Sequence, residues 1–211
     1  MTISKTKTKP RPKAKPPRVR LDVDERRAQL LELGIAAFGA RAYDDVSLDE
    51  LAQSAGVSKG LVFHYFGSKR DFYVAGLRES ARRLLASTLA ESVAEPLVSL
   101  RRGLDQYLRY VKAHGAAYRA LFQGGIGSDP EVAAVVEETR QAFLGQILNR
   151  LGDRLARHPP PLVRTSLRGW VGAVEAASLD WVAHDDLPAA EVREVLVELL
   201  VVTMTRLAGV I

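Results

Sequence analysis

Between Asp22 and the C-terminal end, apolar residues recur every three or four positions, and no alternating strand pattern bounded by hairpin turns interrupts them. In the first stretch Leu31, Ile35 and Phe38 share one helical face, and Asp22 and Asp24 stand where an N-cap belongs. Ser47-Leu-Asp-Glu50 has the capping-box pattern, with Leu48, Leu51 and Ala52 turned inward and Gly56 ending the helix. Ser58 caps a third helix through Phe66, and Ser68-Lys-Arg-Asp71 opens a fourth in the same way. Beyond Arg70 the predicted helices lengthen. Pro96, Pro130 and Pro188 each stand where a helix would begin, because proline lacks an N–H that the first turn leaves unpaired anyway. Segment 97–113 carries the stripe Leu97, Leu100, Leu104, Leu108, Val111, and segment 130–157 carries Val132, Val136, Phe143, Ile147, Leu151. Pro159, Pro160 and Pro161 separate these from two last helices, about 161–183 and 188–208. The expected fold class is all-α.

Composition narrows the chemistry. The chain has no cysteine, which excludes a disulfide framework, a thiolate metal site and a cysteine nucleophile. No run of 18 apolar residues occurs, so no membrane-spanning helix is expected, and the first residues lack the apolar core of a secretory signal. A cytoplasmic location is the expectation that follows. The formal charge of +5 is unevenly spread, since residues 1–20 hold eight Lys or Arg and no acid. With Pro10, Pro12, Pro16 and Pro17 and no anchoring apolar residue, segment 1–21 is predicted to be a disordered basic tail. It either trails along phosphates or is simply solvated.

The informative stretch runs from Leu48 to Tyr65. Two short helices joined by a tight turn need a small residue at their crossing and a turn residue that tolerates positive φ, which fits Ala52 and Gly56. Val57 and Leu61 would then pin the second helix to the core. Ala-x-x-x-Gly-Val alone is weak evidence, because many helical hairpins show it. The longer run from Ser47 to Asp71 resembles the signature of the TetR family of bacterial repressors. The family pattern begins with a helix ending in Phe, here Phe38, and continues through Ala55-Gly56-Val57-Ser58 at the turn and the aromatic cluster Phe63, His64, Tyr65, Phe66 to Ser68-Lys69. The similarity is strong over residues 24–85 and loose beyond. Two positions depart from the pattern: Ala42 stands where the family usually has Gly, so the first helix is expected to end differently, and Phe63 replaces the commoner Tyr.

The resemblance implies a helix-turn-helix DNA-binding domain over 22–68 and a helical ligand-binding and dimerisation domain over 69–211, joined by a helix from 68 to about 90. That helix, running from Ser68 through Leu77, Leu84 and Leu85, is expected to be the only rigid element shared by head and body. Lys59, Gly60 and Leu61 would approach base edges, and Ser47, His64, Tyr65 and Lys69 would contact phosphates. Phe66 is expected in the core, while Tyr65 and Lys69 are read as exposed residues without a packing purpose. Family members dimerise through their last two helices, which implies a homodimer on a palindromic operator with half-sites about 34–36 Å apart or a multiple of that. In the last helix Val192, Val195, Leu199 and Val202 line one side, while Leu196, Leu200, Thr203 and Leu207 line another; that apolar face is wider than one contact needs. A cavity for a mainly hydrophobic effector is implied between head and bundle, with Tyr107, Tyr118, Phe122, Phe143 and Trp170 near it or in ordinary core packing. His114, His158 and His184 fall near helix ends and lack ligand spacing, so neither a metal nor a cofactor is expected. Two rival readings are a non-specific DNA-binding protein driven by the basic tail, and a helical enzyme or carrier. The lack of clustered acid, base and nucleophile argues against the latter.

Overall fold

The computed structural model describes residues 22–88, 95–123 and 129–208. The basic tail lies outside the described residues, and the linking helix, expected to reach about residue 90, ends at Ser87. Every regular element among the described residues is an α-helix: α1 (Val23–Ala40), α2 (Leu48–Ser54), α3 (Lys59–Phe66), α4 (Lys69–Ser87), α5 (Pro96–Ala113), α6 (Gly115–Phe122), α7 (Pro130–Leu151), α8 (Asp153–Arg157), α9 (Pro161–His184) and α10 (Ala189–Leu207).

The helix starts are written in the sequence. Asp22 caps α1 in a reciprocal box with Glu25, each side chain taking the other's backbone N–H at 2.7 and 3.0 Å. Ser47 accepts from the Glu50 N–H, but the Glu50 carboxylate turns instead to Arg41, so only half of the predicted box forms. Pro96 and Pro130 open α5 and α7 as first residues, and Pro188 is the N-cap of α10. The first helix ends at Ala40 without a glycine. Arg41 leaves in an extended conformation with its N–H on the Ala37 carbonyl at 3.1 Å, so Ala42 needs no left-handed backbone.

Three expectations need correction. The predicted helix over 130–157 breaks at Gly152, whose φ of +117° lies where other residues are strained, and α8 follows as a separate short helix. Between α5 and α7 the chain forms α6, whose Tyr118 and Leu121 are buried; no stripe was read there. Leu97, placed on the inner stripe of α5, is exposed, while Leu104, Leu108 and Val111 are buried.

α1 lies against α4 and α6, and the small unit of α1–α3 closes over the start of α4. Gly34 of α1 lets the Phe72 ring come so close that a Cβ there would sit 2.6 Å from its Cζ. Phe72 in turn stacks on Phe66 at 4.2 Å between centroids, and Phe38 meets Phe72 and Tyr73 edge-on at 5.8 and 5.1 Å. The same core continues among α5, α7, α9 and α10, where Leu108, Val163, Leu167 and Leu196 are fully buried. Trp170 donates its indole N–H to the Leu196 carbonyl at 2.9 Å, tying α9 to α10.

α4 is not the sole connection between α1–α3 and the rest of the chain. α1 packs along α6, and Arg70 in the first turn of α4 clamps Asp129, the N-cap of α7, through two N–H bonds of 2.6 and 2.8 Å. The Arg70 guanidinium, helped by the Val132 and Glu131 amides, holds the Asp129 carboxyl at about 2, well below its ordinary 3.8.

Candidate nucleic-acid interface and ligand cavity

The turn between α2 and α3 is made by its own backbone. Gly56 takes φ +68°, its N–H bonds the Gln53 carbonyl at 3.0 Å, and the Val57 N–H bonds that of Ala52 at 2.9 Å. Ala52 and Ala55 are buried at the crossing, so larger side chains would push the two helices apart. Ser58 caps α3 by accepting from the Leu61 N–H at 3.3 Å.

α3 is anchored on one side only. Val62 and Phe66 are buried, whereas Lys59, Gly60, Phe63 and His64 are exposed. The anchor is therefore Val57 with Val62, and not Leu61, which is half-buried one position earlier on the helix surface. The exposed strip starts at the N-terminal turn of α3, where side chains and free amides point outward together. Lys59 there pairs with Asp49 at 2.8 Å. Both groups are largely solvated, so the pair contributes at most about 1 kcal/mol and is easily exchanged for another acceptor. Ser47 is half-buried at the start of α2.

Tyr65 and Lys69 are placed differently from their sequence reading. Tyr65 is half-buried against the core, with its ring 5.7 Å from His64 and 6.4 Å from Phe66. The Lys69 ammonium donates to the Asp44 carbonyl at 3.2 Å and lies 4.7 Å from the Tyr43 ring centre. Each thus has an intramolecular role, in addition to standing on the side of α3 and of the α4 N-terminus.

A cavity of about 650 Å³, its open mouth included, lies among α4, α5, α6, α7 and α9. Tyr107, Phe122, Phe143 and Trp170 line it, with Leu100, Leu104, Ile147, Val171 and Val174. Tyr118 is one shell back, its hydroxyl 2.6 Å from that of Tyr107 and its ring 4.9 Å from Phe122. Burial pushes the Tyr107 hydroxyl up to about 12 and raises that of Tyr118 as well, so both stay protonated near neutral pH. The cavity also has polar lining that sequence reading missed: Arg140 and Glu175, joined at 2.8 and 2.7 Å, together with Thr88, Gln146 and Arg150. A signal was present, since Arg140 and Arg150 fall in step with Phe143 and Ile147 on one face of α7. Among the described residues no cluster of His, Asp or Glu could hold a metal ion, and no helix is long and apolar enough to cross a membrane.

The outer face of α10 exposes Val195, Leu199 and Val202 at 55, 46 and 63%. α9, which packs against α10, exposes Gly169 and Ala176. Val192, expected on that stripe, is buried with Leu196 and Leu200 on the inner face.

Two short helices at a glycine turn, the second with one face bare, on a helical body with a lined cavity, define a helix-turn-helix DNA-binding regulator. The model for bacterial regulatory proteins of the tetR family matches residues 30–75, and the tetracyclin repressor-like C-terminal domain matches residues 96–203. The chain belongs to the TetR family, whose members are DNA-binding transcriptional regulators, typically homodimeric and ligand-binding. A solved tetR-family transcriptional regulator from Streptomyces coelicolor is 31% identical with a TM-score of 0.78, over 88% of this chain and 85% of that one. The HTH-type transcriptional activator FasR of Mycolicibacterium smegmatis is 30% identical over 125 residues, 58% of this chain and 57% of FasR, so the match spans little more than half of that relative's length. The transcriptional regulator AcuR of Cereibacter sphaeroides is 27% identical over 181 residues, 78% of this chain and 81% of AcuR.

Proposed function

We propose that the chain is a ligand-responsive repressor that binds a palindromic operator as a homodimer and is released by a mainly hydrophobic small molecule. The observation that carries this reading is the one-sided anchoring of α3: Val62 and Phe66 hold it, and its N-terminal turn is left bare. In this reading residues 22–68 are the reading head and 69–211 the sensing and dimerising body. Lys59 donates to guanine acceptors, Gly60 lets the backbone come close, and Leu61 touches a thymine methyl. Ser47, His64, Tyr65 and Lys69 meet phosphates, Lys69 together with the free amides of the first turn of α4. The bare apolar strip Val195, Leu199 and Val202, next to the small residues of α9, supports dimerisation through the last two helices about a two-fold axis. The polar lining of the cavity gives the effector a polar end to match. The chain's charge is concentrated in the first twenty residues, so sequence-independent attraction to DNA is assigned to the tail and selectivity to the head.

The test is footprinting of the purified full chain on the DNA flanking its own gene, with transcription from that promoter measured in its presence and absence. The expected result is one protected inverted repeat, with half-sites about 34–36 Å apart or a multiple of that, and transcription that rises when the protein is absent. Uniform protection without a boundary would support the non-specific alternative. Transcription that falls in its absence would make it an activator, as FasR is named.

A further inference from the structure

The cavity is lined by two guanidinium groups and one carboxylate, and the carboxylate is already taken. Glu175 receives both N–H bonds of a side-on pair with Arg140, which leaves that arginine neutralised. Arg150, two turns or more farther along α7 on the same face, has no such partner among the described residues. It donates one N–H to the Thr88 carbonyl at 2.9 Å, just past the end of α4, and among the described residues its remaining donors are turned neither to a carboxylate nor to another side chain. A guanidinium carries five N–H donors in a fixed fork. Thr88 and Gln146 stand beside it, with 3.0 Å between the Thr88 hydroxyl and the Gln146 side-chain oxygen. The opposite walls are apolar and aromatic.

This makes the cavity a two-part receptacle with a positive surplus at one end. A neutral occupant that closed it would strip water from Arg150 and return nothing, and a cationic occupant would add repulsion to that cost. An occupant with a carboxylate or phosphate at that end restores both charge balance and hydrogen bonds, and its apolar remainder covers Tyr107, Phe143 and Trp170. We infer that the effector is an amphipathic anion, an apolar chain or ring system ending in an acidic group, whose head is held by Arg150 at the α4–α7 end of the cavity. The inference rests on the ligand-sensing part of the proposed function, and it adds a stated charge and a stated residue to it. Because Arg150 also holds the carbonyl of Thr88, the C-cap of α4, an acid that draws the guanidinium away loosens the body's grip on the helix that carries the head.

The test measures binding to the full chain by calorimetry in the absence of DNA, so that its outcome does not depend on operator recognition. Three probes share one apolar chain: decanoate, decanol and decylamine. Decanoate is expected to bind about tenfold or more tightly than decanol, as a charge-assisted hydrogen bond implies, and decylamine more weakly than either. Arg150→Gln should bring decanoate down to the level of decanol without changing decanol itself, and Arg150→Lys should restore part of the preference. Arg150 is exposed, so these variants keep the fold, which circular dichroism checks. Equal binding of decanoate and decanol by the wild type would overturn the assignment of an acid while leaving the hydrophobic cavity standing. A decanoate preference that survives Arg150→Gln would overturn the role of Arg150. If none of the three binds, both this inference and the ligand-sensing reading fall, with the DNA-reading head unaffected.

Discussion

The DNA-reading end and the sensing end of this molecule are built from equally ordinary helices but by opposite means. In the head, α3 is set by neighbours within a few residues: Ser58 caps it, Gly56 turns it, and Val62 and Phe66 set which face is bare. In the body, the cavity draws on α4, α5, α6, α7 and α9, whose lining positions span Thr88 to Glu175. Local construction keeps a surface unchanged while the remainder of the chain varies. Distributed construction lets a few substitutions on any one helix change what fits. A regulator that must keep one reading geometry while its effector varies is served by that division.

The contrast can be broken most severely at the outer face of α10. Leu199→Glu adds a carboxylate to a strip that is exposed in the single chain but buried in the proposed dimer. Sedimentation is expected to give a folded monomer, and operator affinity to fall by orders of magnitude because one head cannot span two half-sites. A dimer of unchanged mass would move the interface elsewhere.

A smaller effect is expected at the seam between the two regions. The Asp129 carboxyl is held near 2 by Arg70, below its ordinary 3.8, so its ion pair supports the folded chain above about pH 4. The support fades as pH falls through about 2, since the folded group is then protonated too. Asp129→Asn should therefore flatten the loss of melting temperature between pH 4 and pH 2 relative to wild type. Parallel melting curves for the two proteins would show that the Arg70 clamp carries no pH-dependent stability.

How much of this was legible in the sequence follows the same contrast. The helices of the head, their caps and the turn at Gly56 were readable because each signal lies next to the element it controls. The body's long helices were readable as helices, but not in their partners. Val192 lies three residues before Val195 and four before Leu196, on the border of two apolar stripes, and spacing alone could not say that it turns inward. Arg140 and Arg150 escaped notice because a charge on an apolar face has meaning only once Glu175 and Thr88 are known to lie opposite. The packing role of Lys69 was hidden for the same reason, since Tyr43 and Asp44 reach it from a loop more than twenty residues away. α6 is only 8 residues long and apolar almost throughout, so it shows no period of its own.

The central claim is that the head reads base sequence through the start of α3 and positions itself through α4. It is tested most directly by titrating Lys59→Ala and Lys69→Ala on the footprinted operator and on a scrambled duplex across a range of salt. Lys59→Ala is expected to cost roughly 1–3 kcal/mol on the operator and little on the scrambled duplex, with relaxed selectivity at one or two positions. Lys69→Ala is expected to weaken both duplexes alike and to lower the salt slope by about one. The reverse pattern, or a wild type that binds both duplexes equally at every salt concentration, would contradict the account.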